Sequence, residues 1–139
     1  MSIYVTKDFK YKEFACPCCG VFRPINPNLI YRLQNLRDMV DIPIYISSGI
    51  RCKKYNKKIG GYINSPHMTG KAVDIHAKRM TIKQLAIKAK EAGFTRIGIY
   101  PENHFIHVDV IRPWKSASWI RRNGEYIYYK TFEIALKYI

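Results

Sequence analysis

Two histidines and an aspartate, well separated along this chain, are the residue types a catalytic metal ion needs. His67 and Asp74 belong to the run Ser65-Pro66-His67-Met68-Thr69-Gly70-Lys71-Ala72-Val73-Asp74. The His reads as a loop residue and the Asp as part of the strand that follows, with Gly70 allowing a tight backbone path between them. Zinc takes imidazole nitrogen and carboxylate oxygen at about 2.0–2.2 Å, so a loop His and a strand Asp can converge on one ion. A third ligand is offered by Phe105-Ile106-His107-Val108-Asp109-Val110. Strand alternation puts Ile106, Val108 and Val110 on a core face and His107 and Asp109 on the opposite one. Three protein ligands with one open position are the arrangement of a catalytic zinc, whose water is acidified toward a pKa of about 7 and attacks a carbonyl.

The elements that must position these groups follow from periodicity. Leu29, Leu33, Leu36 and Val40 recur at helical spacing over Pro27 to Val40, and Pro43 ends the run. Ile44 to Ser47 reads as a short strand, Ser48-Gly49 as a turn, and Arg51 to Ile59 as a helix stopped by Gly60-Gly61. Ala72 to His76 is expected as a strand with Val73 and Ile75 on one face and Ala72, Asp74 and His76 on the other. Thr81 caps a helix to about Ala92, and Gly93 closes it. Arg96 to Tyr100 and Phe105 to Val110 read as strands joined by Pro101-Glu102-Asn103. Asn123-Gly124 marks a two-residue hairpin between Trp119–Arg122 and Glu125–Tyr129, and Thr131 to Tyr138 reads as a last short helix. The predicted class is α+β, a small and largely antiparallel sheet with helices packed on one side.

At 139 residues the chain fits one domain. Its net charge of +14 calls for an anionic partner, and its 47% hydrophobic content excludes a disordered chain. No stretch is apolar enough to span a membrane. Met1 to Lys12 carries no signal-peptide core, so a protein made in the cytoplasm that reaches an external target only after release or lysis, as in phage, is expected. Basic charge with abundant tyrosine also suits single-stranded nucleic acid, and the hairpin from Trp119 to Tyr129 with Arg121 and Arg122 would be the surface. No nucleic-acid motif accompanies it. Three of the four cysteines sit in Cys16-Pro17-Cys18-Cys19-Gly20, and the fourth is Cys52. A structural zinc at Cys16, Cys18, Cys19 and Cys52, a disulfide from Cys52 to the cluster, and four free thiols all remain open. The run is read as adjacent thiols rather than a spaced CxxC pair, and with no His near it a four-ligand knuckle is under-supplied.

The joint pattern Ser65-x-His67-x-x-Gly70-x-Ala72-x-Asp74, then His107-x-Asp109, resembles the zinc D-alanyl-D-alanine carboxypeptidase and murein peptidase family. That family includes vancomycin-resistance dipeptidases and phage L-alanyl-D-glutamate endolysins and shares its fold with the hedgehog signalling domain. Ser47-Ser48-Gly49-Ile50-Arg51, Tyr55-Asn56, Gly60-Gly61, Gly98-Ile99-Tyr100 and Arg112-Pro113-Trp114 extend the resemblance over roughly Phe9 to Trp114, with Ile50 in place of an aromatic. It implies a single peptidase domain with core 9–114 and a C-terminal hairpin and helix over 115–139. It also implies one zinc on His67, Asp74 and His107, and substrate held by Arg51 and Ser65. The implied activity is hydrolysis of peptidoglycan stem peptides by a monomer, with the basic surface meeting anionic cell-wall polymer. Many relatives carry Glu or Asp where this chain has His104, so the general base is open among Asp109, His104 and Glu102, in that order. A non-catalytic zinc-containing module of the same fold is the alternative. His76 reads as a group supporting Asp74, as an alternative ligand or as a surface imidazole, and Trp114 and Trp119 as core residues or cleft walls.

Overall fold

Asn26 begins the first helix because its side chain accepts the backbone N–H of Asn28 at 2.8 Å and Pro27 pre-sets the first turn. The computed structural model describes residues 3–139; Met1 and Ser2, the start of the segment read as lacking a leader core, lie outside the described residues. Helix α1 spans Pro27–Val40 and buries Leu29, Leu33 and Leu36. Strand β1 (Tyr45–Ser48) and helix α2 (Lys53–Lys58) follow, then a 3-10 turn, Pro66–Thr69, that carries His67. Next come β2 (Ala72–His76) and α3 (Ile82–Glu91), whose N-terminus Thr81 and Gln84 close by reciprocal hydrogen bonds of 3.0 and 2.9 Å. The chain ends with β3 (Arg96–Tyr100), β4 (Phe105–Asp109), β5 (Ala117–Arg122), β6 (Glu125–Tyr129) and α4 (Phe132–Leu136). Asn123 and Gly124 both take positive φ, 52° and 78°, as a two-residue hairpin of this twist requires.

The six strands form one sheet in the order β1-β2-β4-β3-β5-β6. Every pair is antiparallel except β3 with β5, which is parallel. The α+β class with a mostly antiparallel sheet is therefore as the sequence indicates. The parallel pair follows from where the strands meet: β4 ends at Asp109 beside Arg96, and β5 enters with Ala117 beside the same Arg96, so it runs with β3. Once β3 and β4 have paired and β2 has taken the far side of β4, the free edge of β3 is the next place to add a strand. The crossover is fastened there by Ala117 N–H to the Thr95 carbonyl at 3.0 Å and by Thr95 Oγ1 to the Pro113 carbonyl at 2.9 Å.

One face of the sheet is apolar. Val73, Ile75, Ile97, Ile99, Ile106, Val108 and Ile120 are buried there beneath the apolar sides of α1 and α3, with Phe94 and Phe132 in the same cluster. Each such side chain removed from water contributes roughly 1.5–3 kcal/mol, which anchors the strands whose alternate residues form the other face. The other face carries Asp74, His107 and Asp109, which are also buried. Trp119 (6% exposed) stays on the sheet, whereas Trp114, read as a core residue or a wall of the cleft, is 81% exposed and so leaves the core. No helix among the described residues is long and apolar enough to cross a membrane.

Candidate metal centre

Strand pairing brings two of the three groups together before any loop is considered. Asp74 on β2 stands directly opposite His107 on β4. Both project from the polar face, and the Asp74 Oδ1 to His107 Nδ1 distance is 3.0 Å. His67 is delivered by its turn. Ser65 caps it, accepting the His67 N–H at 3.2 Å, and Gly70 closes it at φ 67°. A Cβ on Gly70 would also run into the Pro24 carbonyl, so this position excludes other residues on two counts. The result is His67 Nε2 at 3.2 Å from the same Asp74 Oδ1. One ligand atom from each of His67, Asp74 and His107 lies within 4.8 Å of the others, and all three residues are buried.

The imidazoles are held in defined tautomers. His67 Nδ1 donates to the Gly49 carbonyl at 2.7 Å, which leaves Nε2 facing Asp74. His107 Nε2 donates to Asp109 Oδ2 at 2.8 Å, which leaves Nδ1 facing Asp74. Asp109 Oδ1 in turn accepts from Arg96 Nε at 2.8 Å. Asp74 Oδ2 accepts from Arg51 Nη2 at 3.1 Å. Each of the three side chains is thus oriented by a carbonyl, a carboxylate or a guanidinium behind it, the usual support of metal-binding imidazoles and carboxylates. Two imidazole nitrogens and one carboxylate oxygen facing one another are a donor set that suits zinc once both facing nitrogens are unprotonated.

The charges are strongly coupled. Burial alone would raise the Asp74 carboxyl, but the imidazoles of His107 and His67 beside it outweigh burial and hold the group well below the usual carboxylate range. Burial also opposes charge on His107, yet the carboxylates of Asp109 and Asp74 on either side lift it to about 9. Asp109 is pushed up by burial and, more strongly, down by His107 and Arg96. His67 is lowered, chiefly by burial. In the metal-free protein at neutral pH His107 therefore carries a proton, whereas a ligand imidazole must be neutral. Zinc uptake at pH 7 is expected to release about one proton from His107, and affinity to rise about tenfold per pH unit up to the raised pKa. Calorimetry in buffers of different ionisation enthalpy measures that proton; zinc uptake with no release contradicts the reading.

The other residues singled out from sequence fall as follows. Arg51 is not a loose surface charge. Besides Asp74 it donates to Ser48 Oγ at 3.0 Å and to Asn56 Oδ1 at 3.2 Å. Ser65 is 4% exposed, with its Oγ turned to the His67 backbone. His104 is exposed at the entrance of β4, with φ 55°. Glu102 is tied to the hairpin tip, accepting the Asn123 N–H at 2.6 Å. His76 lies outside the convergent group and bonds Ser47 Oγ at 2.9 Å while stacking on Tyr45. The hairpin considered for nucleic acid loses its leading aromatic, because Trp119 is buried with its ring 5.4 Å from that of His107.

The peptidase M15 family profile matches residues 7–109. The chain belongs to the peptidase M15 family. Among curated proteins it is similar to a zinc D-Ala-D-Ala carboxypeptidase of Streptomyces albus G, 37% identical over 83 residues that make up 57% of this chain and 32% of that one. It is also similar to the probable peptidoglycan L,D-endopeptidase MepK of Haemophilus influenzae, 27% identical over 103 residues, 67% of this chain and 55% of the relative. The chain thus spans between a third and about half of the length of these relatives.

Within this M15 domain, three positioning residues escape a reading by residue type. Asn56 (3% exposed) links Arg51 to the Tyr62 carbonyl, which it bonds at 2.8 Å. Arg96 sits behind Asp109 and over the Trp119 ring. Gly98 lies between His107 and Trp119 in the sheet, and a Cβ there would overlap the indole. Asn56 and Gly98 fall in segments that carry the family resemblance, but their supporting roles show only in the packing.

Proposed function

We propose that this chain is a zinc peptidase that hydrolyses peptide bonds of peptidoglycan stem peptides, as a D-alanyl-D-alanine carboxypeptidase or an endopeptidase. The observation that carries it is the single Asp74 oxygen within 3.2 Å of two imidazole nitrogens whose opposite nitrogens are both spoken for. His67 Nε2, Asp74 Oδ1 and His107 Nδ1 would hold the ion. A zinc ion there supplies an acidified water and Lewis acidity toward a carbonyl.

The remaining groups take roles from what they touch. Asp109 and Gly49 orient the two imidazoles. Arg51 has five N–H donors, and three are engaged by Ser48, Asn56 and Asp74. Its other two suit a substrate carbonyl or carboxylate beside the metal. Ser65, expected from the resemblance as a substrate contact, also caps the His67 turn through its Oγ. Of the three candidate bases, Asp109 has both oxygens engaged and Glu102 accepts the Asn123 N–H, which favours the exposed His104 as the base. The relatives' names favour peptidoglycan as substrate, and a surface at +14 suits a wall carrying carboxylates and phosphate polymers.

The test is digestion of purified sacculi by zinc-loaded protein. Release of peptide fragments or D-alanine that stops with chelator and returns with zinc is the expected result; no release by fully zinc-loaded protein refutes the enzyme reading. One observation favours the alternative of a non-catalytic wall-binding module. It is the absence of an acidic residue at position 104. His104→Ala separates the two readings: turnover lost with zinc retained is the outcome for an enzyme with His104 as base.

A further inference from the structure

The cysteines form a second convergent group that the peptidase chemistry does not use. None of the four cysteines is joined in a disulfide in this structure. One sulfur from each of Cys16, Cys19 and Cys52 lies within 4.8 Å of the others, while Cys18 is outside the group. The run Cys16-Pro17-Cys18-Cys19-Gly20 does contain a CxxC pair, Cys16 with Cys19, which the reading as adjacent thiols passed over. Pro17 and a Gly20 at φ 61° make it a tight turn.

We propose that Cys16, Cys19 and Cys52 bind a structural zinc ion as thiolates, with the fourth position left to solvent or a small anion. Zinc–sulfur bonds of about 2.3 Å place tetrahedral sulfurs about 3.8 Å apart, inside the span these sulfurs already occupy. Soft thiolates select zinc over calcium or magnesium. The backbone is arranged for anionic sulfur. Cys16 Sγ accepts the Cys52 N–H at 3.3 Å, and Cys52 Sγ accepts the Tyr55 N–H at 3.3 Å. Burial pushes the Cys16 thiol up, but N–H groups of Cys52, Cys18 and Cys19 more than offset it and bring it to about 7.

The placement gives the ion a purpose. It would join the N-terminal segment to Cys52, the neighbour of Arg51. Between the two, Ile50 N–H donates to the Phe14 carbonyl at 2.7 Å and Arg51 N–H to the His67 carbonyl at 3.1 Å. The Gly49 carbonyl that orients His67 lies on the same strip. A cysteine-bound ion would clamp the backbone that holds one ligand of the peptidase metal and the guanidinium behind another.

The experiment uses full-length protein purified under reductant without chelator, with metal counted by mass spectrometry. Wild type is expected to hold about two zinc ions per chain and Cys19→Ser about one, while Cys18→Ser keeps both. Asp74→Asn is expected to hold about one, and that ion should be released by a mercurial thiol reagent. The two sites therefore fail separately, because Asp74→Asn addresses only the histidine site. Cobalt substitution needs no cysteine variant: reduced wild type and Asp74→Asn should both show the near-ultraviolet thiolate-to-cobalt charge-transfer band. Absence of that band, or a zinc count unchanged by Cys19→Ser, overturns the proposal, as does a Cys16–Cys52 disulfide in freshly isolated protein.

Discussion

Asp74→Asn is expected to leave less than about one thousandth of the wild-type rate of sacculus hydrolysis and to empty the histidine metal site. The metal's stabilisation of the transition state is worth several kcal/mol, and about 4 kcal/mol is three powers of ten. Asp74 is the member of the group on which everything converges. Its Oδ1 faces both imidazoles and its Oδ2 accepts from Arg51. Asn keeps the size and one acceptor but loses the charge that balances His107 and Arg51. It also presents an N–H₂ to groups that donate. Rate and zinc content measured on the same preparation decide the matter. A variant that retains wild-type turnover, or full zinc at the histidine site, would remove Asp74 from the metal.

Asp109→Asn tests which job that carboxylate does, and Asp109→Ala how much of the fold leans on it. As an orienting group behind His107, its amide replacement should weaken zinc binding about 10–100-fold and leave appreciable turnover once zinc is saturating. As the general base, it would instead cost the rate at every zinc concentration. Titrating zinc into the activity assay separates these outcomes, and a rate that stays near background at saturating metal refutes the orienting role. Asp109→Ala carries a further cost. Asp109 is 1% exposed and bridges Arg96 and His107, so truncation leaves a buried and a half-buried cationic group without their shared anion. Breaking a buried pair this way costs about 3–5 kcal/mol, visible as a lowered urea midpoint. The sign follows from the depressed carboxyl: the stabilisation is present above the ordinary Asp pKa and is lost as acid protonates the group. The difference between wild type and variant should accordingly shrink at low pH.

Much of this architecture was legible in local sequence because local forces decide it. Leu29, Leu33 and Leu36 fix the buried side of α1, Thr81 and Gln84 start α3, and Asn123-Gly124 turns the hairpin. The alternation over Ala72–His76 and Phe105–Asp109 also decided which side chains oppose the apolar face, so His67, Asp74 and His107 could be nominated by type and spacing. What lay beyond reach was anything requiring knowledge of a distant neighbour. The parallel pairing of β3 with β5 depends on which strand edge is free after the other strands have paired. Asp109 looks like an unengaged carboxylate until Arg96, on the adjacent strand, is seen to hold it. Arg51 is assigned to substrate by resemblance, but that Asn56, Ser48 and Asp74 fix its guanidinium shows only in the fold. The residue types and the strand faces were set by the sequence through short-range sterics and hydrophobic period. The protonation states, tautomers and partners of the site were set only by tertiary packing, because a charge takes its energy from whatever the fold places within a few ångströms of it.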